Sequence, residues 1–482
     1  MSHLEEVQVA ALPPERFEEV LEAPQWQMLD EANRVARDIF RGRTIWNVNS
    51  TAVGGGVAEM LQSLLAYARG AGVDTRWLVI EGEPDFFALT KRLHHHLHGS
   101  KGDGGPLGAA EHELYDRVTN ANAAAMRDVL RPGDIVLLHD PQTAGMAASL
   151  KDTGGHLLWR SHIGLDTPND AVRDAWDFLL PYVTQAEAFI FTRRAYVPPQ
   201  LAGADVSIIP PSIDVFAQKN QEMTDAQVRS ILMTSRILEG TPPGEPTYVH
   251  HDGRSDHVRR HAVMDEDVRL TADDPLVVQV SRWDPLKDPI GVMRGFAEHI
   301  APAAPAARLL LAGPSPEGVT DDPEGALVLE QVRAERLALP AEVRARVHLA
   351  SLPMTDRSEN AAIVNAVQRH ATVVVQKSLA EGFGLTVAEA MWKRRAVVAP
   401  RLGGIEDQIQ DGVNGVLLDD ATDLAAFGAA VVGLLEDPRR AALIGDAAHE
   451  RVRSQFLGSR HLIQYLALFG RLVRGDGHRP PR

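Results

Sequence analysis

The chain has 482 residues, 44% of them hydrophobic and 24% charged, which is enough for two or three domains with their own cores. Its formal charge of -16 disfavours nonspecific binding to nucleic acid or to anionic membrane, so an anionic substrate would need a local cationic pocket. There is no cysteine, which excludes disulfides, a thiolate nucleophile and cysteine-ligated zinc. The start, Met1 to Gln8, is polar, and no apolar run reaches membrane-spanning length. A cytoplasmic protein without membrane or nucleic-acid partners is expected.

Residues 1–43 are acidic, with a helical pattern broken at Pro13-Pro14 and Pro24, and read as an N-terminal helical extension. The first clear strand, Thr44 to Asn49, runs through Ser50-Thr51-Ala52-Val53 into Gly54-Gly55-Gly56. A helix from Val57 to Ala68 and a strand from Trp77 to Ile80 complete a βαβ unit and imply a parallel sheet. The glycines allow close approach of a ligand, but their spacing is not that of a dinucleotide fingerprint, and no Walker loop is present. His94, His95, His96 and His98 point in different directions around a helix. They make a poor metal site and read as a solvated helix end.

Strands Asp134 to Leu138 and His156 to Arg160 end in His139-Asp140-Pro141-Gln142 and in Ser161-His162-Ile163-Gly164. Polar residues at several parallel strand ends mark a pocket in an open α/β sheet, although each histidine also has a structural reading. A helix from Pro168 to Tyr182 and short strands at Ala188 to Phe191 and Val206 to Ile209 carry the first domain, 44–214, to Pro210-Pro211-Ser212-Ile213-Asp214. Residues 215–273 form a connecting segment, with a helix from Thr224 to Leu232 and a polar surface excursion from Gly240 to Arg260.

The second domain, 274–455, opens with the strand Leu276 to Val280 and then Ser281-Arg282-Trp283-Asp284-Pro285-Leu286-Lys287-Asp288. Arg282 and Lys287 beyond a strand end suit a diphosphate; ion pairs with Asp284 and Asp288 are the other reading. Helix–strand alternation continues to the strand Ala371 to Val375, followed by Lys377-Ser378-Leu379-Ala380-Glu381-Gly382-Phe383-Gly384 and a helix from Leu385 to Lys393. A glycine-rich loop at a helix N-terminus presents N–H groups to an anion, and Glu381 and Glu389 bracket that point. Residues 456–482 contain a helix with an apolar stripe of Leu462, Tyr465, Leu466, Phe469 and Leu472, which should dock on a domain face.

Glu381 and Glu389 with seven residues between them, the Ser281-Arg282…Lys287 element and Gly382-Phe383-Gly384 together resemble the retaining GT-B glycosyltransferases of family 4, the glycogen-synthase-like superfamily. Trp46-Asn47-Val48-Asn49-Ser50-Thr51, His139-Asp140-Pro141-Gln142, Trp159-Arg160-Ser161-His162-Ile163 and Phe456-Leu457…Arg460-His461-Leu462 resemble its trehalose glycosyltransferring synthases. The resemblance implies an α/β fold with two facing Rossmann-like doubly wound domains, and a C-terminal helix crossing back to the first. It implies transfer of glucose from a nucleoside-diphosphate glucose to free glucose, with no cofactor required, Mg2+ at most a stimulator, and a homodimer.

By this resemblance, Arg282 and Lys287 hold the diphosphate, aided by Gly55, Gly56 and the backbone at Phe383, Gly384 and Leu385. Glu389 holds the ribose, Glu381 the donor sugar, and His162 the transferring sugar. Asn49, Gly54, His139, Asp140, Gln142 and Asp166 lie on the acceptor side. An Asp is expected after His162-Ile163, where this chain has Gly164, with Asp166 two residues on. The motif requires no carboxylate nucleophile, which favours front-side attack with the leaving phosphate taking the acceptor's proton. The base of the donor stays open. Trehalose phosphorolysis, another sugar acceptor, and a non-catalytic sugar- or nucleotide-binding role remain as alternatives.

Overall fold

A computed structural model describes residues 4–52, 55–316 and 323–475. The chain divides into two compact units, Met1–Ser212 with Phe456–Arg482, and Ile213–Gln455. Among the described residues, no helix is long and apolar enough to cross a membrane.

The first unit contains strands β1 (Glu5–Val7), β2 (Ile45–Asn49), β3 (Thr75–Val79), β4 (Ile135–His139), β5 (His156–Ser161), β6 (Ala188–Phe191) and β7 (Val206–Ile208) in one sheet. Their order is β1-β3-β2-β4-β5-β6-β7. All neighbours are parallel except β1, which runs antiparallel to β3. Every residue of β2, β4 and β6 is buried, as expected of strands covered by helices on both faces. Trp159 anchors the core, edge-on to both Trp176 and Phe191 with ring centroids 6.0 Å away. From β2 the chain crosses to β3 on one side and then to β4 on the other. The order therefore reverses between β2 and β4, and ligands bind at the carboxyl ends beside such a reversal.

The second unit contains a hairpin, β8 (Thr247–Val249) with β9 (Ser255–His257), and strands β10 (Val263–Asp265), β11 (Leu276–Val280), β12 (Arg308–Pro314), β13 (Val347–Leu352), β14 (Val373–Val375), β15 (Ala396–Pro400) and β16 (Val416–Leu418). Their order is β10-β13-β12-β11-β14-β15-β16, with only β10 antiparallel. Here the reversal falls between β11 and β14. It sets the loop carrying Arg282 and Lys287 beside the loop carrying Glu381.

Three sequence expectations change. The N-terminal extension is not wholly helical: Glu5–Val7 pair with β3 before the helix Ala23–Ile39. Three residues, two of them exposed glutamates, leave no alternation to read. The polar stretch from Gly240 to Arg260 is more than a surface excursion, because Tyr248 and Val258 are buried and Glu359 accepts the backbone N–H groups of Arg259 (2.5 Å) and Arg260 (2.6 Å). The histidine-rich helix end is not solvated: His96 is buried and His94, His95 and His98 are half-buried.

The helix Gly458–Arg474 belongs to the first unit. Leu462, Tyr465, Leu468 and Phe469 are its buried stripe, while Leu466 and Leu472 are only half-buried. Fully buried Arg160 of β5 reaches this helix through His461 Nε2 (2.9 Å) and the Tyr465 hydroxyl, and also donates to Ile209 O (2.9 Å). Arg471 adds an ion pair with Asp205 at 2.7 Å.

Candidate active site

In the first unit, the carboxyl ends of β2, β4 and β5 carry a chain of hydrogen bonds. His139 Nε2 lies 3.1 Å from Asn47 Oδ1, and His139 Nδ1 lies 3.1 Å from His162 Nε2. The two imidazoles are stacked, with centroids 5.4 Å apart and planes at 10°. With an amide oxygen facing His139 Nε2, that nitrogen carries hydrogen and Nδ1 accepts from His162 Nε2–H. His162 Nδ1 is then a hydrogen-bond acceptor. Burial holds both imidazoles well below their ordinary pKa, and the positive charge of Arg160 adds to it.

Asp140 follows His139 in the left-handed region at φ 61°, a conformation Asp tolerates better than most residues. The bend lets its carboxylate accept His162 N–H at 2.7 Å, while its carbonyl takes Trp159 Nε1–H at 3.1 Å. Burial pushes Asp140 up to about 7, against the opposing pull of that N–H and of Arg160. Asp140 thus fixes the backbone that aims His162. Gln142 is half-buried in the following turn. Asn49 is turned to the fold, accepting Trp77 Nε1–H at 2.8 Å and donating to Thr51 O at 2.8 Å. Gly55 begins the helix Gly55–Gly70 at φ 78°, with open space where a Cβ would be, and Gly56 follows it; Gly54 lies outside the described residues.

In the second unit, the loops after β11 and β14 are joined by Gln279. Its amide donates to Lys287 O at 2.8 Å and accepts Lys377 N–H at 3.0 Å. Lys287 Nζ lies 2.6 Å from Glu381 Oε2, and Ser378 Oγ donates to the same oxygen at 3.3 Å. Asp288, at φ 48°, pairs with fully buried Lys377 and caps the next helix through Gly291 N. Arg282 is exposed and pairs with Asp284 at 2.9 Å. Of the two ion pairs read as the alternative to a diphosphate site, the structure forms Arg282–Asp284, while Lys287 turns to Glu381.

Gly384, at φ 82°, caps the helix Leu385–Trp392, with no side chain capping its first turn. Buried Gln408 holds that turn by donating to Phe383 O at 2.5 Å and Gly404 O at 3.2 Å. Glu389 is buried one turn into the helix, with Lys219 Nζ 3.6 Å from Oε1. Lys393 lies behind it, bonded to Gln368 Oε1 (2.8 Å), Asn220 Oδ1 (3.0 Å) and Glu389 O (3.1 Å), and burial pushes it down to about 7. Among the described residues, no three His, Asp or Glu side chains converge as a metal site.

Residues 47–198 match the family described as trehalose synthase, N-terminal domain, and residues 263–451 match glycosyl transferases group 1. The trehalose synthase of Pyrococcus horikoshii is 35% identical over 436 residues, 90% of this chain and 91% of that protein. The chain belongs to the trehalose synthase family. A trehalose synthase of Rubrobacter xylanophilus is 34% identical over 440 residues, 90% of this chain and 92% of that one. In fold, the chain matches the α,α-trehalose 6-phosphate synthase of Burkholderia multivorans with a TM-score of 0.66 at 15% identity, over 91% of this chain and 99% of that chain. The two doubly wound units of this trehalose synthase family member therefore form the GT-B fold.

The position where the resemblance led us to expect Asp has a steric account. A Cβ on Gly164 would lie 2.2 Å from Tyr196 Cγ, so Tyr196 occupies the space of any side chain there. The carboxylate two residues on, Asp166, is held by Arg193 at 2.7 Å, and that guanidinium lies over the Tyr196 ring at 5.8 Å. Sequence reasoning missed Asn47, Gln279, Lys219, Lys377 and Gln408. Each acts through a partner far along the chain, and no local spacing announces it.

Proposed function

We propose that this chain transfers glucose from a nucleoside-diphosphate glucose to free glucose, forming α,α-trehalose with retention at the donor carbon. The observation that carries this reading is the Lys287–Glu381 pair beside the glycine-capped helix at the reversal of the second sheet. One cation and one carboxylate at that point suit a sugar attached to a diphosphate. Lys287 and Arg282 stabilise the phosphate oxygens as charge builds, with the N–H groups at Phe383, Gly384 and Leu385. Glu381 holds donor-sugar hydroxyls and favours positive character at the anomeric carbon. Glu389 takes the ribose. On the acceptor side, His162 Nδ1 accepts a sugar hydroxyl, with His139 and Asp140 holding its ring and backbone.

The bond from the anomeric carbon to the phosphate oxygen breaks as the bond to the acceptor oxygen forms on the same face. The acceptor's proton passes to the departing phosphate oxygen. Retaining hydrolases use a carboxylate nucleophile and a covalent intermediate; this route needs neither, and isolation of a glycosyl-enzyme adduct would contradict it. The test is incubation of the protein with UDP-, ADP-, GDP- and TDP-glucose plus glucose, with and without Mg2+, and with orthophosphate plus trehalose in parallel. An α,α-1,1-linked disaccharide with free nucleoside diphosphate is expected. Cleavage of trehalose by orthophosphate without nucleotide would overturn the reading in favour of a phosphorylase.

A further inference from the structure

The stretch from Asp214 to Gln221 leads into the connecting segment and packs against the end of the donor-side helix Leu385–Trp392. Asn220 is its buried centre. The Asn220 carbonyl accepts Trp392 Nε1–H at 3.1 Å, its Oδ1 accepts Lys393 Nζ at 3.0 Å, and its Nδ2 donates to Asp214 O at 2.9 Å. On either side of it, Asn365 Nδ2 donates to Gln218 O at 3.0 Å and to Gln221 O at 2.8 Å. The hairpin of β8 and β9 grips the same stretch: Gln221 donates to Val249 O and accepts Val249 N–H, each at 3.0 Å. The backbone that carries Lys219 is therefore fixed from three directions.

Lys219 is half-buried, and its Nζ lies 3.6 Å from Oε1 of buried Glu389. Burying a carboxylate is costly unless a cation accompanies it. At 3.6 Å the contact is an ion pair longer than a hydrogen bond, so Lys219 balances charge without taking the lone pair that a hydroxyl would use. Lys393 works on the backbone of the same residue, 3.1 Å from Glu389 O. The lysines of the second unit are Lys219, Lys287, Lys377 and Lys393, and none of them is exposed. Each contacts Glu381, Glu389 or Asp288. A chain that uses lysine this sparingly, and places it beside the donor-side carboxylates, is not using it for solubility.

We propose that Lys219 is a positioning residue of the donor site, holding the Glu389 carboxylate in the orientation that accepts the ribose hydroxyls. The inference rests on the reading of Glu389 as the ribose residue and deepens it. A carboxylate meets two vicinal hydroxyls with one oxygen for each, which requires its plane to be fixed. The stretch from Asp214 to Gln221, clamped by the hairpin, is the frame that fixes it. The ribose is remote from the bond that breaks, so Lys219 acts on donor binding and not on the chemical step.

The experiment uses whichever of UDP-, ADP- and GDP-glucose the protein turns over fastest, together with the 2′-deoxy form of the same donor. Wild type should favour the ribose form in KM by about tenfold. Lys219→Met should raise KM for the ribose form by about tenfold, leave kcat within about twofold, and reduce the preference to about twofold. Equal rises in KM for both donors, with the preference kept, are what a merely structural lysine gives and overturn the proposal. Lys219→Met removes the cation beside a buried carboxylate, so Lys219→Met/Glu389→Gln, which removes both charges, carries the test where the single variant does not fold. Its donor KM and its preference should equal those of Glu389→Gln alone. A further severalfold rise in KM would mean that Lys219 acts without Glu389, and overturns the proposal. Absence of any preference in wild type, or its survival in Glu389→Gln, overturns the assignment of Glu389 to the ribose and this inference with it. Preference lost in Glu389→Gln but kept in Lys219→Met overturns this inference alone.

Discussion

Lys287 and Asp288 are sequence neighbours that face opposite partners: Lys287 Nζ lies 2.6 Å from Glu381 Oε2, and Asp288 takes the ammonium of buried Lys377. The two contacts fasten the loop after β11 to the loop after β14 at two points. The Lys377–Asp288 pair fixes the backbone, and the Lys287–Glu381 pair holds the two side chains together.

Lys287→Met should therefore cripple chemistry more than folding. Removing one donor aimed at developing charge typically costs about 10²–10³ in kcat. The steady-state rate with donor and glucose should fall by that order while the far-ultraviolet spectrum stays unchanged. A rate within about threefold of wild type would remove Lys287 from the mechanism.

Gly164→Ala should destabilise the first unit, because the new methyl meets Tyr196. Overpacking of this kind costs about 1–3 kcal/mol. Tyr196→Ala alone leaves a cavity in place of a buried ring. Combined with Gly164→Ala, it should cost less than the sum of the two singles. A urea-denaturation cycle measures that coupling, and strict additivity would contradict the contact.

Gln408→Leu removes the clamp on the carbonyls of Phe383 and Gly404. Buried acceptors left unpaired cost about 1–3 kcal/mol. The freed loop should also raise KM for the donor without a matching rise for glucose. Equal changes in both constants would mean that Gln408 serves stability alone.

Acid should unfold the protein earlier than surface carboxylates alone predict. His139, His162 and His461 are held neutral by burial, helped by Arg160, whereas the unfolded chain protonates each below about pH 6.5. Their stabilising contribution is lost as pH falls through that value. Asp140 works the other way: pushed up to about 7, it is protonated in the native state where the unfolded chain has lost its proton. Of these four groups, three protons favour the unfolded state and one the native, so between about pH 4 and 6.5 they make stability rise with pH by up to ~2.7 kcal/mol per unit. His461→Gln, which removes one of the three, should cut the slope by about half, since the net difference falls from two protons to one. A denaturation midpoint that holds constant from pH 7 to about 5 would refute this account.

The alternation of strand and helix was legible because each parallel strand is a short apolar run ending in glycine or polar residues. Lys287, Glu381, His139 and His162 were legible for the same reason, since each stands at or just beyond the end of a strand. What the sequence hid was pairing at a distance. Nothing near Lys287 indicates a partner 94 residues away, and Lys377 looked like any loop lysine until its burial was seen. Gly164 could be noted as a departure, but its cause, the ring of Tyr196, is a packing fact. The same holds for His96, whose polar neighbours suggested solvent although the helices around it close over the ring.

The most direct test of the transfer reaction follows glucose carrying 13C at its anomeric carbon, mixed with unlabelled nucleoside-diphosphate glucose and the protein, by carbon NMR over time. The account predicts a single new α,α-linked anomeric signal growing in step with released nucleoside diphosphate, and none with Glu381→Gln. Release of nucleoside diphosphate with the label remaining in free glucose, or a product with any other linkage, would contradict it.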